Sequence, residues 1–152
     1  MKISHDELAK FLDAANKSTY ANKDAPKSAS LRPSSEDYHF ELGDLAYHDT
    51  YFGARDFIGE EVVYKISKPV WGMNYYGYLL NPDISADEVY TVLRSALYSD
   101  TLPVRGPREH IRGTSKYANQ VDGTLNRFSG EEKIYFDTEL VYCCWYHGGS
   151  IE

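Results

Sequence analysis

Leu8, Phe11, Leu12 and Ala15 recur at the i, i+3, i+4, i+7 spacing of one helix face, directly behind Ser4-His5-Asp6-Glu7. Ser-x-x-Glu is a capping box, so this segment predicts a helix with a defined start. Val89, Val92, Leu93 and Ala96 repeat the stripe behind Ser85-Ala86-Asp87-Glu88. After each helix the period shortens to two and the composition turns β-branched and aromatic. Glu61 to Ile66 and Val70 to Leu80 predict a hairpin, joined at Ser67-Lys68 with Pro69 opening the return strand. Lys133 to Phe136 and Leu140 to His147 predict its counterpart, turning at Asp137-Thr138. One further strand is expected around Tyr38 to Tyr51, and another around Ile111 to Val121.

The order α-β-β-β therefore occurs twice, and the halves also match residue by residue. Gly43, Tyr47, Asp49 and Gly53 correspond to Gly113, Tyr117, Asn119 and Gly123 at an offset of 70. Phe57, Gly59, Glu60, Glu61, Tyr64, Val70, Tyr75 and Gly77 correspond to Phe128, Gly130, Glu131, Glu132, Tyr135, Val141, Tyr146 and Gly148 at an offset of 71. The slip of one falls between Gly53 and Phe57, where a turn tolerates an extra residue. Such self-similarity predicts a single domain over residues 1–152, with one repeat at about 4–80 and the other at about 85–152. The fold class is α+β: a mostly antiparallel sheet with both helices on one face, related by a pseudo-twofold axis. Ser18 to Asp37, rich in Ser, Lys, Asn and Pro, is about ten residues longer than its counterpart and is expected to be a flexible loop.

Charge and cysteine usage narrow the chemistry. In 152 residues, 16 Lys and Arg stand against 23 Asp and Glu, a formal charge of −7, and so negative a chain argues against direct nucleic-acid binding. A mean hydropathy of −0.53 without a long apolar run argues against a membrane span, and Met1 to Lys17 has no apolar signal core. The expected location is cytoplasmic. Cys143 and Cys144, adjacent on a strand, read as reduced thiols facing opposite ways. His5, His39, His48, His110 and His147 have no paired ligand spacing, so no metal site is expected, and no motif for a cofactor or a catalytic triad occurs.

Alternation sorts Trp71, Met73, Tyr75 and Leu79, with Tyr142, Cys144 and Tyr146, onto the helix-covered face. The opposite face then receives Val70, Asn74, Tyr76 and Tyr78, with Val141, Cys143, Trp145 and His147. Tyr64 and Tyr135 fall there too, with Glu60 and Glu131 in phase. Rings with a few polar tips and carboxylates suit a small aromatic or cationic molecule. Glu60, Tyr64, Asn74, Tyr76, Glu131, Trp145 and His147 are the candidate ligand-binding residues. The plainer reading is equally open: aromatic strand formers covering a half-buried surface, or a homodimer face.

Residues common to both halves are expected to serve the fold. The shared glycines suit positive φ or close backbone approach, and the shared Glu pairs suit loose backbone N–H groups. Residues that differ, Asn74 against Trp145 and Tyr76 against His147, are better site candidates. His48 and Asp49, on adjacent strand positions, cannot face each other. Arg105-Gly106-Pro107-Arg108 reads as a solvated turn, with anion binding as the alternative.

The runs Tyr47 to Tyr64, Val70 to Gly77 and Tyr146 to Gly149 resemble an uncharacterised bacterial family, domain of unknown function 5680, over essentially the full chain. Some members carry the domain behind a helix-turn-helix, which implies ligand sensing in regulators. Here the first helix belongs to the repeat and leaves no room for a DNA reader. The architecture also resembles gyrase-inhibitor-like domains, which bind cationic aromatics on the sheet face away from the helices, although those are built from β-α-β-β units.

Three functions remain in view. The first is a ligand-binding or sensor domain with the Ser18 to Asp37 loop as a lid. The second is a hydrolase in which Glu60, Glu61 or Glu131 is a general base. The third is a homodimer or interaction module.

Overall fold

The computed structural model describes residues 3–99 and 104–152. Helix α1, His5–Ser18, begins where the capping box predicts, with the Ser4 hydroxyl accepting the Glu7 N–H at 3.2 Å. It buries Leu8, Phe11, Leu12 and Ala15. Helix α2, Ala86–Ser99, buries Val89, Val92, Leu93 and Ala96 together with Leu97.

The strands are β1 (Glu36–Leu42), β2 (Leu45–Gly53), β3 (Asp56–Lys65), β4 (Lys68–Leu79), β5 (Glu109–Arg112), β6 (Ser115–Thr124), β7 (Arg127–Phe136) and β8 (Glu139–Ser150). All join one antiparallel sheet of order β1-β2-β3-β4-β8-β7-β6-β5. Both helices pack on the same face, α1 against β1 and β2, α2 against β5, β6 and β7, and against each other. The α+β class and the helix placement are as the sequence predicts.

Each repeat nevertheless holds four strands, not three. The stretch expected to form one strand between Tyr38 and Tyr51 folds back on itself, pairing Leu42 with Leu45 across Gly43-Asp44. The second half does the same across Gly113-Thr114. Gly43 at φ +65° and Gly113 at φ +59° occupy the first turn position, where a two-residue hairpin favours glycine. The β3–β4 turn also moves by one residue, onto Ile66-Ser67, both at positive φ.

A second correction concerns Val70 and Val141, expected on the outer face. The register of β4 against β3 jumps between Val63–Trp71 and Tyr64–Pro69, leaving Val70 as the extra residue of a bulge. Val141 is its equivalent in β8. A bulge turns two successive side chains to nearly one side, and Val70 and Trp71 are both buried, as are Val141 and Tyr142. From Met73 and Cys143 onward the predicted alternation resumes.

At the seam between the halves, Tyr75 pairs with Tyr146, its own counterpart in the other repeat, so the pseudo-twofold axis passes between them. Each tyrosine lies over a shared glycine. A Cβ at Gly59 would sit 2.3 Å from the Tyr75 ring, and one at Gly130 would sit 2.3 Å from the Tyr146 ring. Gly53 and Gly123, both at φ +95°, meet the other expectation for shared glycines. The halves also interlock through Trp71, which donates its indole N–H to the Leu125 carbonyl at 2.9 Å and stacks on Phe128.

The segment before β1 is tied to the sheet. Ser28 N–H reaches the Asp37 carbonyl at 2.8 Å, Lys27 pairs with Glu36 at 2.9 Å, and Ser35 donates to the Asp37 carboxylate. Arg32 lies over the Phe52 ring and 3.8 Å from Glu60, on the sheet face away from the helices.

Candidate functional site

On that outer face, strand alternation and the β4–β8 register bring Asn74 opposite His147 and Tyr76 opposite Trp145. Glu60 of β3 pairs with Asn74, and Glu131 of β7 pairs with Trp145. These six predicted residues line one open cleft of about 1050 Å³ across the seam. Trp145 is 50% exposed and Tyr76 44%, unusual for large rings at the centre of a sheet. Tyr78 continues the strip, 5.8 Å from the Trp145 ring and 6.2 Å from Tyr76. Beneath it Cys143 is buried, and its thiol pKa is raised by that burial. Glu60 is exposed and lies beside Arg32, and Glu131 is partly buried, 3.3 Å from Lys133.

Tyr64, the seventh, is on the same face but outside this cleft. It borders a neighbouring hollow of about 250 Å³ with Glu60, Arg32, His48 and His39. His48 does have a carboxylate partner, though not Asp49: its Nε2 lies 2.6 Å from Oδ2 of Asp37 on β1. Burial pushes the Asp37 carboxyl up, but hydrogen bonds, first from Ser35 and then from His48, outweigh it and hold the group below the usual range. Ser35 bonds the carboxylate and not the imidazole, so the three residues do not form the Ser–His pair of a nucleophilic triad.

Most of the charged chemistry is on the helix-covered face, where the sequence reading placed only core. Phase along β3 and β7 puts Glu61 and Glu132 inward with Val63 and Ile134, and all four are buried. Arg105, expected in a solvated turn, has a side chain only 6% exposed that sits between the two carboxylates, 3.0 Å from Glu132 and 3.5 Å from Glu61. Its guanidinium lies 4.9 Å above the Tyr75 ring, and its backbone has φ +71°. A non-glycine residue in that region costs energy, and the two ion pairs hold Arg105 in it. Tyr117 and Tyr142 each donate to Glu132 at 2.7 Å, and Tyr75 donates to Asp49 at 2.6 Å. The shared inner glutamates therefore serve an ion-pair network and not loose backbone N–H groups.

Asp49 and Glu61 border a cavity of about 290 Å³ under the helices, walled by Leu12, Phe57, Met73 and Leu93. Burial raises the Asp49 pKa to about 6, against the pull of Tyr75 and Arg105. Burial, followed by the Asp49 charge, raises Glu61 to about 8. At neutral pH Glu61 therefore largely keeps its proton.

Phase on β3 was the signal by which Glu61 was discoverable. Arg105 had none, since only its tertiary position buries it. Among the described residues, no group of three or more His, Cys, Asp and Glu side chains is arranged to hold a metal, and no helix is long and apolar enough to cross a membrane. No curated protein matches the chain, and no solved structure does, so the likeness to gyrase-inhibitor-like domains gains no support. The sequence matches one family over residues 49–151, from β2 to the end of β8, and the chain belongs to that family, described as Domain of unknown function (DUF5680).

Proposed function

We propose that this domain binds a small aromatic cation in the outer cleft, between Trp145 and Tyr76, with Glu60 and Glu131 supplying charge and Asn74 and His147 supplying polar contacts. The observation carrying this reading is a strip of exposed rings at the middle of a sheet, bordered on both sides by carboxylates. Rings give area and cation–π attraction, and carboxylates select positive charge. The loop before β1 closes one end of the cleft through Arg32, which lines it, and in this reading that loop acts as a lid.

Benzyltrimethylammonium and N-methylquinolinium, which offer positive charge without N–H donors, are suitable probes. Saturating either should raise the unfolding midpoint, by about 2.7 kcal/mol of linkage at 100 times Kd. Trp145→Ala should abolish the shift while keeping the fold. A shift retained in Trp145→Ala, or none with either probe, overturns the reading. A concentration-dependent dimer in light scattering that Trp145→Ala disrupts would instead assign the face to a second copy of the chain.

A further inference from the structure

The inner cavity is independent of the outer cleft, and comparing the two halves indicates what it accepts. In the second half, Tyr146 donates to Oδ1 of Asn119 at 2.5 Å, and Nδ2 of Asn119 donates to the carbonyls of Val104 at 2.9 Å and Gly106 at 3.0 Å. The protein's own chain thus occupies the position facing Asn119. In the first half, Tyr75 donates to Oδ1 of Asp49 in the same way. The segment between α1 and β1 borders this cavity through Tyr20, Ala21 and Lys27, but among the described residues it makes no hydrogen bond to Asp49. It places Ser35 against Asp37 on the outer side, and the space facing Asp49 belongs to the cavity.

Asp49 is 3% exposed and lines that cavity, and among the described residues its Oδ2 receives no hydrogen bond. Where the second half presents an amide donor to a carbonyl, the first presents a carboxylate acceptor, so its occupant must donate. Glu132 is held by Arg105 at 3.0 Å and by two tyrosines, whereas Arg105 reaches Glu61 at 3.5 Å. Among the described residues Asp49 is thus a buried carboxylate with a single hydrogen-bond donor, Tyr75 on Oδ1, and a donor seated in the cavity would satisfy Oδ2. The cavity opens beside Lys27 and Glu36, which are half-exposed; Arg94, Arg105 and Asn16 also line it, and the rest of its wall is aliphatic or aromatic.

We propose that this cavity is a second binding site, specific for a small primary amine or amidine whose N–H donors engage Asp49 and Glu61 and whose carbon body lies among Leu12, Phe57, Met73 and Leu93. The quaternary cations suited to the outer cleft have no such donors and are excluded.

Benzylamine and benzamidine are the probes, with benzyl alcohol as the uncharged control. Both amines should raise the unfolding midpoint of the wild-type protein, and the alcohol should not. Asp49→Asn should weaken benzylamine by about 10- to 100-fold, the worth of a hydrogen bond to a charged partner, while Trp145→Ala leaves it unchanged. In the wild-type protein, benzylamine ring protons should show intermolecular NOEs to the Met73 methyl, a readout that needs no variant to fold. Absence of binding by either amine, equal binding of the alcohol, NOEs confined to Trp145, or unaltered affinity in a folded Asp49→Asn would overturn the proposal. Loss of amine binding in Trp145→Ala would return the amine to the outer cleft.

Discussion

Glu61 is the residue whose position and chemistry are most in tension. A carboxyl with a raised folded pKa binds its proton more tightly when folded than when unfolded. Its favourable contribution is complete below the unfolded value of about 4.3 and is lost as pH rises through about 8. Asp49 acts in the same direction up to about pH 6. Wild-type stability in urea should therefore fall between pH 5 and pH 8, and Glu61→Gln should flatten that fall. An unchanged slope in the variant would place the titration elsewhere. The acidity of this face was legible only in part. Glu61 follows Gly59 and precedes Val63 in core phase, so its inward direction was readable from β3 alone. Its partner Arg105 comes from a loop whose Gly-Pro composition gives every sign of exposure, and only the fold brings that loop under α2.

Among the elements, α1 shows how local signals and packing share the work. Its stripe and its cap were both readable, because helix periodicity and the capping box are properties of a few neighbouring residues. The hairpin of β1 and β2 was not readable from the same kind of evidence. Gly43-Asp44 is a short turn in a polar surround, and without a clean apolar alternation on either side it merged with its strands. The bulges at Val70 and Val141 were hidden for another reason: a register jump depends on the partner strand, which a single strand's pattern does not contain. Because Ser4 satisfies an N–H at the start of α1, Ser4→Ala should cost about 1 kcal/mol and lower the midpoint by roughly 2–4 °C. Calorimetry checks this, and an unaltered midpoint would mean that packing on β1 and β2 alone holds the first turn.

For the molecule as a whole, the continuous sheet and the interlock of Trp71 with Leu125 and Phe128 couple the halves. Neither half has a complete core, since Trp71 of the first lies in a shell supplied by the second. Unfolding should be a single transition, with tryptophan fluorescence and far-ultraviolet dichroism superimposing in urea. Two separated transitions would show that each repeat is an independent unit. The outer cleft was legible at this scale because it depends on alternation near the seam, where no bulge intervenes. The inner cavity was not, because it arises from a difference in how two loops approach matching strands.

The pairing of Tyr75 with Tyr146 has a consequence for assembly. A single unit laid beside an identical copy would make the same strand contact, Tyr75 facing Tyr75, with both copies related by a closed rotation. This chain is stereochemically a self-complementary pair whose members have been tied together by the short tether between β4 and α2. Tethering frees the two members to diverge. Asp49 and Asn119, or Tyr76 and His147, occupy matched positions that an untethered pair would have to keep identical, so an asymmetric binding surface is available only to the fused form.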